Sequence, residues 1–549
     1  MSRYLIVGGV AGGASAAARL RRLDERAEIT VYERGGFMSY ANCGLPYHIG
    51  GVIRERNALF VQNASAFKKR FNVDVFVGHE VIEIDRVKKS MSVRDIASEK
   101  MIADTYDKLI LSPGAAPIRP PIPGIDAKGI FTLRNVADTD AIVAYAAEKK
   151  ISRALVVGAG FIGVEMAENL HARGASIAIV EMLDQVLPPF DRDMAVLVHE
   201  HIRAKGVALH LGVSVTSFRG DASGVTAVLS DGKELTADMV ILSIGVAPDT
   251  AIAKAAGLDC GERNAILVNE YLQTSDASIY AVGDAIAFCH PIFGKAMPTY
   301  LAGPANKQAR IAADNIVLGN KKKYPGSIGT AVVKVFDSTA ALTGASEKML
   351  VKEKIPCRSW IVHPASHASY YPAAAPMSLK IVFSPEGKIL GAQAVGGDGV
   401  DKRIDVIAAY MKMGGSVRDL AEFEQAYAPP YSSAKDPVNF AGFVAENIID
   451  GVMKDMSYDE LRALPKDAYV LVDVRTSAEC ARGMLDGAVN IPVDDMRSRI
   501  GDVPKGKKIV TYCAVGLRSY IAARILMQNG FDAYDLKGGY RTCDALRRG

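Results

Sequence analysis

Two cysteines of the chain lie in settings that favour a reactive sulfur. Cys43 lies in SYANCGLPYHIGG, and Cys513 lies in VTYCAVGLRSYIAARIL, where a strand-like run leads into an amphipathic helix. At a helix N-terminus, backbone N–H groups and a cation such as Arg518 lower the pKa of a thiol. The pattern therefore predicts two separate thiol sites. The other cysteines have no comparable context and are predicted to be structural: Cys260, Cys289, Cys357, Cys480 and Cys543.

A complete glycine fingerprint for a dinucleotide follows the apolar run RALVV. Gly158, Gly160 and Gly163 have the spacing G-x-G-x-x-G between a predicted strand and a predicted helix, so that a pyrophosphate can rest on the helix N-terminus. Glu181 ends the next predicted strand, where a carboxylate accepts hydrogen bonds from ribose hydroxyls and repels a 2′-phosphate. No Arg or Lys follows in MLDQVLP. The pattern predicts NADH rather than NADPH, and the alternative is a purely structural turn.

A less regular copy of the same unit opens the chain. Gly8, Gly12 and Gly13 are present in YLIVGGVAGG, but Val10 has the place of the middle glycine. Glu33 ends the following predicted strand and supplies a second acid for a ribose. Because each unit reads as strand, turn, helix and strand, the sequence predicts two doubly wound domains.

Length and composition indicate a multidomain globular protein. The 549 residues are too many for one core, and 49% hydrophobic and 23% charged residues are ordinary values for a soluble protein. A net charge of +4 gives no sign of nucleic-acid binding. No apolar run suggests a membrane span, and no metal site is predicted. We expect no export signal before the first strand, and seven scattered cysteines favour a reducing cytoplasm.

The late segment YAVGDA adds a family resemblance. The order of first unit, LILSPGA, second unit and YAVGDA resembles the two-dinucleotide flavoprotein disulfide reductases over about residues 1–446. The resemblance implies that the first unit binds FAD, with Gly283 and Asp284 at the ribityl chain. Ser112 and Arg134 are further implied FAD contacts.

Cys43 lacks the partner that glutathione reductase-type enzymes have in C-x4-C, because His48 occupies that position. A single redox cysteine must form a sulfenate or a mixed disulfide with a small thiol. The alternative is a buried, inert cysteine. NADH peroxidases and oxidases share the single cysteine but have a histidine in the first glycine turn. Ala11 stands there in this chain, which counts against peroxide or oxygen reduction.

SYANCGLPY, HASYYP and FEQAYAPPYSSAKDP resemble the coenzyme A disulfide reductases. The resemblance implies these coenzyme A contacts: Ser15, Arg19, Arg22, Ser39, Asn42 and Lys435. Cations suit the phosphates of coenzyme A, although RLRRLDER also reads as a solvated helix end. The family has a histidine contact at the position of Asn306, so this chain departs from the family pattern there. Tyr370 and Tyr427 match two tyrosines that reach the mixed disulfide from a partner subunit, which implies a homodimer; plain packing is the alternative.

LVDVRTSAEC, GAVNIP and CAVGLRS resemble a rhodanese over residues 457–549. The resemblance implies that Cys513 carries a persulfide, with Arg518 closing the loop. C-x4-R makes a loop sized for sulfur, whereas the related phosphatases have C-x5-R. An inactive, structural rhodanese is the alternative.

The predicted fold class is α/β, with two doubly wound dinucleotide-binding domains, an α+β dimerisation domain and a C-terminal α/β rhodanese domain. The predicted boundaries are 1–112 with 246–325 for FAD, 113–245 for NADH, 326–446 for dimerisation and 457–549 for the rhodanese. The predicted activity is reduction by NADH of persulfides, polysulfides and coenzyme A disulfide at Cys43, with coenzyme A persulfide favoured and Cys513 carrying sulfane sulfur. One alternative is a dedicated coenzyme A disulfide reductase with an independent rhodanese. Another is a sulfur carrier or redox sensor without turnover.

Overall fold

A computed structural model describes residues 1–221 and 224–549, which form two compact units. The first unit comprises Met1–Met182 and His210–Gly329, and the second comprises Leu183–Leu209 and Thr330–Gly549. The predicted α/β class, with an α+β part and a further C-terminal α/β part, is confirmed by the sheets described below. None of the helices within the described ranges combines the length and the apolar character that crossing a membrane requires.

The first parallel sheet has its central strand at the start of the chain. Its strand order is Ile279–Ala281, Lys108–Leu111, Arg3–Val7, Glu28–Glu33 and Asp74–Val77. The strand order reverses at Arg3–Val7, which pairs in parallel with Glu28–Glu33 on one side and with Lys108–Leu111 on the other. Ligands of doubly wound sheets bind at the carboxyl ends of the strands at such a reversal. The turn after Arg3–Val7 is therefore the expected nucleotide site.

The second parallel sheet repeats this arrangement. Its strand order is Ala208–Leu211, Ser176–Glu181, Arg153–Val157, Met239–Leu242 and Ile130–Thr132. Arg153–Val157 is again central and pairs in parallel with Ser176–Glu181 and Met239–Leu242. Leu155, Val156 and Val157 are buried, because helices cover a parallel sheet on both faces and its strands become continuous apolar runs.

Smaller elements complete the first unit. Its further strands are His79–Asp85, Ser90–Asp95, Met101–Thr105, Ala115–Pro117, Val215–Asp221, Gly224–Leu229, Glu234–Ala237, Val246–Pro248, Ile266–Leu267, Ile286–Cys289 and Ala296–Pro298. Its α-helices are Ala11–Leu23, Leu45–Ile49, Ala64–Phe71, Val136–Lys149, Phe161–Ala172, Ala251–Ala255 and Ala302–Leu318. The short 3-10 turns are Asn42–Gly44, Arg56–Leu59, Glu262–Asn264 and Gly283–Ala285.

The second unit contains an antiparallel sheet and a third parallel sheet. The antiparallel order is Ala331–Val335, Ser338–Gly344, Ile389–Gly396, Met377–Phe383 and Arg358–Val362. The parallel order is Asp455–Met456, Ala533–Leu536, Lys508–Tyr512, Tyr469–Asp473 and Val489–Asn490. The helices are Arg192–Ala204, Glu347–Lys352, Val400–Lys412, Val417–Glu422, Pro437–Ile449, Tyr458–Ala463, Ser477–Cys480, Leu517–Gln528 and Gly539–Arg548, with a 3-10 turn at Ile500–Asp502. Arg192–Ala204 packs on Gly539–Arg548.

A buried ion cluster ties the antiparallel sheet to its neighbours in the second unit. Lys380 is only 1% exposed, and its Nζ lies 2.7 Å from Asp193 Oδ2 and 2.7 Å from Glu347 Oε2. Lys537, which follows the strand Ala533–Leu536, donates from Nζ to Ser359 Oγ at 2.7 Å. Removing one partner of a buried ion pair costs about 3–5 kcal/mol, because the other charge stays buried. The C-terminal parallel sheet is therefore anchored to the antiparallel sheet.

Candidate active sites

The two glycine turns have the same backbone geometry. Gly8 has φ +94° and Gly158 has φ +99°, a region that side chains rarely adopt. A Cβ on Gly13 would lie 1.8 Å from the Gly8 oxygen, and one on Gly163 would lie 2.0 Å from the Gly158 oxygen. The first and third glycines of each fingerprint are therefore required for the helix to pack against the strand.

The predicted ribose acids are also equivalent. Glu33 Oε2 accepts the Gly9 N–H at 2.7 Å, and Glu181 Oε2 accepts the Ala159 N–H at 2.7 Å. Each carboxylate is thereby held beside the glycine turn that precedes its helix. This placement suits hydrogen bonding to the ribose of a dinucleotide.

The middle position of the two fingerprints differs. Gly160 has open space around it, since an added Cβ would meet no atom within 4 Å. Val10 has φ −96°, which is ordinary for a residue with a side chain. The turn therefore forms with valine at this position.

The residues predicted to contact FAD lie around the first turn. A Cβ on Gly12 would lie 2.5 Å from Ser112 Oγ, and one on Gly114 would lie 2.6 Å from an Arg134 guanidinium nitrogen. Gly283 and Asp284 are in the 3-10 turn Gly283–Ala285, at the end of the same sheet.

Asp284 offers a test of whether FAD fits. Its carboxyl group is desolvated, which raises its pKa, and Arg134 opposes the shift. Across residues 1–221 and 224–549, no group donates a hydrogen bond to this carboxylate. A partly desolvated carboxylate that no described donor holds can accept a hydrogen bond from a ribityl hydroxyl. The residues present therefore fit the cofactor.

Cys43 lies in the turn Asn42–Gly44, which runs directly into the helix Leu45–Ile49. Its side chain is exposed, yet the surrounding atoms partly desolvate the thiol and raise its pKa, and the carboxylates of Glu165 and Asp284 add to this effect. The protein side chains alone therefore favour the thiol over the thiolate at this site.

Tyr47 and Glu165 are neighbours of this thiol that the sequence analysis missed. Tyr47 donates from its hydroxyl to Glu165 Oε1 at 3.2 Å. Burial raises the pKa of Glu165 to about 7, against the effect of the Tyr47 hydrogen bond. The available signal was spacing, because Tyr47 lies one helical turn after Cys43 and Glu165 lies two residues after Gly163.

Several of the residues predicted to contact coenzyme A line one cleft in the first unit. The cleft has a volume of about 360 Å³ and includes Ser15, Arg19, Arg22 and Ser39. Its other lining residues are Ala14, Ala18, Gln62, Phe67, Phe71, Asn306 and Arg310. Arg310 was missed by the sequence analysis, although it lies one turn after Asn306 in LAGPANKQAR. Asn42 and Lys435 are exposed and are not among the described lining residues.

The arginines of the first helix differ in their surroundings. Arg19 Nε is paired with the buried Asp314 at 2.6 Å. Arg21 is 5% exposed and its guanidinium donates to five backbone oxygens, so it has a structural role. Arg22 and Arg310 are exposed and form no ion pair within the described part of the chain. These two are the arginines of the cleft that are free to meet a phosphate.

Tyr370 and Tyr427 meet in the second unit. Their hydroxyl oxygens lie 3.1 Å apart, and the residues are 75% and 47% exposed. Exposed phenols are unusual as packing residues, because they leave apolar ring surface in water. Lys435 is also exposed in this unit.

Cys513 is buried at the start of its loop. Its Sγ accepts the Gly516 N–H at 3.1 Å and lies 3.6 Å from Ser519 Oγ. Gly516 has φ +113°, which directs its N–H back toward the sulfur. Arg518 also interacts with Cys513 and is held by Glu479. The loop therefore forms a preorganised cradle for a sulfur anion.

Three family models match the chain. The pyridine nucleotide-disulphide oxidoreductase model matches residues 2–314, and the dimerisation domain of the same family matches residues 330–437. The rhodanese-like domain model matches residues 457–544.

Individual relatives agree with these matches. Coenzyme A disulfide reductase of Staphylococcus haemolyticus is 34% identical over 450 residues, which are 82% of this chain and all of the relative. The structure of reduced Bacillus anthracis CoADR-RHD is 47% identical with a TM-score of 0.97, covering 100% of this chain and 98% of the other. The structure of an NAD-dependent persulfide reductase from A. fulgidus is 38% identical with a TM-score of 0.92. The match covers 98% of this chain and 99% of the other.

Proposed function

Because the chain belongs to the pyridine nucleotide-disulphide oxidoreductase family, we propose that it uses NADH to reduce persulfides and polysulfides at Cys43. Coenzyme A persulfide is the favoured substrate, and coenzyme A disulfide is a second one. Members of the family are oxidoreductases that bind FAD and NAD(H), and this chain is one of them. The persulfide reductase similarity and the C-terminal rhodanese-like match support the choice of substrate.

We assign the two nucleotides to the two glycine turns. The residues for FAD are Gly8, Gly12, Gly13, Glu33, Ser112, Arg134, Gly283 and Asp284. The residues for NADH are Gly158, Gly160, Gly163 and Glu181. The proposed boundaries stay at 1–112 with 246–325, 113–245, 326–446 and 457–549. We propose a reducing, cytoplasmic location, because seven cysteines scattered along the sequence do not suggest a disulfide framework.

Coenzyme A would lie in the cleft lined by Ser15, Arg19, Arg22 and Ser39, with Asn42 and Lys435 as further contacts. Arg22 and Arg310, which form no ion pair with any described residue, would supply cations for its phosphates. Phe67 and Phe71, whose rings lie 4.7 Å apart, give the cleft an apolar wall.

The chemistry at Cys43 is thiol exchange. Bound FAD supplies reducing equivalents from NADH. The Cys43 thiolate attacks the coenzyme A sulfur of the persulfide, forms a mixed disulfide with coenzyme A and expels hydrosulfide. Two electrons and one proton then cleave this disulfide, release coenzyme A and restore the thiolate. Tyr370 and Tyr427 of the partner subunit in a homodimer would donate hydrogen bonds or the proton to the departing sulfur.

Cys513 would act as the carrier of sulfane sulfur. Its thiolate attacks the sulfane sulfur of a donor, the donor S–S bond breaks, and the rest of the donor leaves as an anion, so that Cys513 becomes a persulfide. The thiolate of coenzyme A or of Cys43 then attacks the outer sulfur, and Cys513 leaves as a thiolate. The Gly516 N–H that donates to Sγ, together with Arg518, would stabilise the anionic persulfide.

The observation that carries the proposal is one chain with two different thiol sites, an exposed Cys43 near the Asp284 carboxylate and a cradled Cys513. The test is NADH oxidation by the FAD-loaded protein with coenzyme A persulfide, coenzyme A disulfide, polysulfide and peroxide side by side. We expect the highest kcat/KM for coenzyme A persulfide and the lowest for peroxide. A clear preference for peroxide would contradict the proposed chemistry.

A dedicated coenzyme A disulfide reductase is the second candidate. It is favoured by the Staphylococcus relative, whose full length matches only 82% of this chain. In that case coenzyme A disulfide would give the highest kcat/KM in the same experiment, and the rhodanese part would serve a different reaction.

A further inference from the structure

Glu479 holds the arginine of the Cys513 loop in a bidentate ion pair. Arg518 Nη1 lies 2.7 Å from Glu479 Oε2, and Arg518 Nη2 lies 2.7 Å from Glu479 Oε1. The carboxylate is itself fixed at the start of the helix Ser477–Cys480, where the backbone N–H and hydroxyl of Thr476 both donate to it. Parallel pairing of this kind is the strongest geometry for Arg and a carboxylate.

The ion pair offsets the charge that Arg518 would otherwise present to an incoming donor, while Arg518 still interacts with the Cys513 sulfur. Arg518 lowers the pKa of Glu479 to about 2, so the carboxylate is ionised throughout the neutral range. Both terminal nitrogens of the guanidinium already donate to it, and the pair has no net charge. Arg475, on the segment just before Glu479, is likewise paired, with Asp473 at 2.6 Å.

The exposed side chains beside the loop are apolar. Val515 is 40% exposed, Leu517 63% and Ile521 38%. Leu517 and Ile521 are one turn apart on the helix that contains Arg518. A site for a small dianion would be expected to present free cations at its opening, whereas these exposed loop side chains are apolar and Arg518 is paired with Glu479.

We propose that Glu479 sets the charge selectivity of Cys513, so that the loop takes sulfur from organic persulfides with a low local charge and discriminates against thiosulfate. The inference rests on the proposed role of Cys513 as a sulfur carrier and names its class of donor. With a persulfide, the Cys513 thiolate attacks the terminal sulfur, the donor S–S bond breaks and a thiolate leaves. With thiosulfate, the same attack expels sulfite, a dianion that needs cationic partners.

The test is the variant Glu479→Gln in a full-length, FAD-loaded protein with Cys43→Ser, so that Cys513 is the sulfur acceptor. Gln still fits the helix-capping position. Sulfur transfer to cyanide is measured with thiosulfate and with coenzyme A persulfide. The ratio of the two kcat/KM values should rise about tenfold in favour of thiosulfate, because one negative charge near the dianion is lost. A ratio cancels any change in the reactivity of Cys513 itself.

Glu460→Gln is the matched control. Glu460 has the same capping role toward Ser457, and it forms no ion pair within the described residues. This variant should leave the ratio unchanged. An equal rise in both variants, or an unchanged ratio in Glu479→Gln, would overturn the proposal.

A second measurement separates charge from folding. Alkylation of Cys513, followed by mass spectrometry of its peptide, compares anionic iodoacetate with neutral iodoacetamide. Glu479→Gln should raise the iodoacetate-to-iodoacetamide rate ratio several-fold, in line with the removal of one charge. An unchanged ratio contradicts the proposal even if the variant is less stable. Failure of Cys513 to accept sulfur from any donor in the unmodified loop would instead refute the carrier role.

Discussion

Cys43 is exposed in a short turn beside acidic groups, whereas Cys513 is buried in a loop whose backbone and hydroxyl groups face its sulfur. Desolvation and the carboxylates of Glu165 and Asp284 raise the pKa of Cys43. The Cys513 sulfur, by contrast, accepts a hydrogen bond from the Gly516 N–H. The Cys513 sulfur therefore already has hydrogen-bond donors around it, whereas the groups described around Cys43 disfavour its thiolate.

Cys43→Ser should have the largest effect and should separate the reaction at Cys43 from the reaction at Cys513. NADH oxidation with every sulfur acceptor should fall at least about a thousandfold, because the attacking sulfur is lost. FAD content and sulfur transfer at Cys513 should remain. Acceptor-dependent NADH oxidation and transfer to cyanide are measured on the same preparation. Persulfide turnover near the wild-type rate would disprove the role of Cys43.

Cys513→Ser tests the comparison from the other side. Transfer of sulfur to cyanide should fall at least about a thousandfold, while coenzyme A disulfide reduction should stay within about twofold. Acceptors whose sulfur must first be loaded on the loop should be impaired. An equal loss of coenzyme A disulfide reduction would mean that the two sites depend on each other for catalysis. If Cys513→Ser lowered no activity with any donor, the rhodanese-like domain would have no role in the reaction.

The choice between NADH and NADPH should change only the rate of reduction at Cys43, because sulfur transfer at Cys513 needs no electrons from a nicotinamide. We expect NADH to exceed NADPH by about a hundredfold in kcat/KM, because Glu181 repels a 2′-phosphate. Glu181→Gln keeps an acceptor for the Ala159 N–H and should narrow this preference. Equal use of the two cofactors by the unmodified protein contradicts the assignment.

The smallest effect concerns the pKa of Cys43. Above pH 7, Glu165 is ionised and disfavours the Cys43 thiolate; below pH 7 it is protonated and this repulsion is lost. Glu165→Gln in a Cys513→Ser background should therefore speed alkylation of Cys43 by about threefold above pH 8 and have little effect below pH 6. Iodoacetamide labelling followed by mass spectrometry of the Cys43 peptide gives the rate.

Glu168→Gln is the control for this measurement. Glu168 contributes to the raised pKa of Glu165 but is not among the groups that raise the pKa of Cys43. Its substitution should shift the pH at which the rate changes and leave the rate above pH 8 as it was. A pH-independent effect of Glu165→Gln would contradict the electrostatic account.

Much of the fold could be predicted because its signals are local. The fingerprints around Gly8 and Gly158, the buried strands Arg3–Val7 and Arg153–Val157 and the loop from Cys513 to Arg518 depend on residues close in sequence. A turn that only glycine can form is visible without knowledge of the rest of the chain.

Short patterns with one steric explanation were enough to locate the two glycine turns and the acids beside them, and the local setting of Cys43 and Cys513 predicted both as reactive thiols. Only the tertiary structure decided that Arg19 is paired with Asp314, that Arg310 joins the cleft and that Glu479 neutralises Arg518. These are pairings between residues far apart in the chain. Their charges interact through space, and residue type alone does not reveal whether a cation is free or already paired.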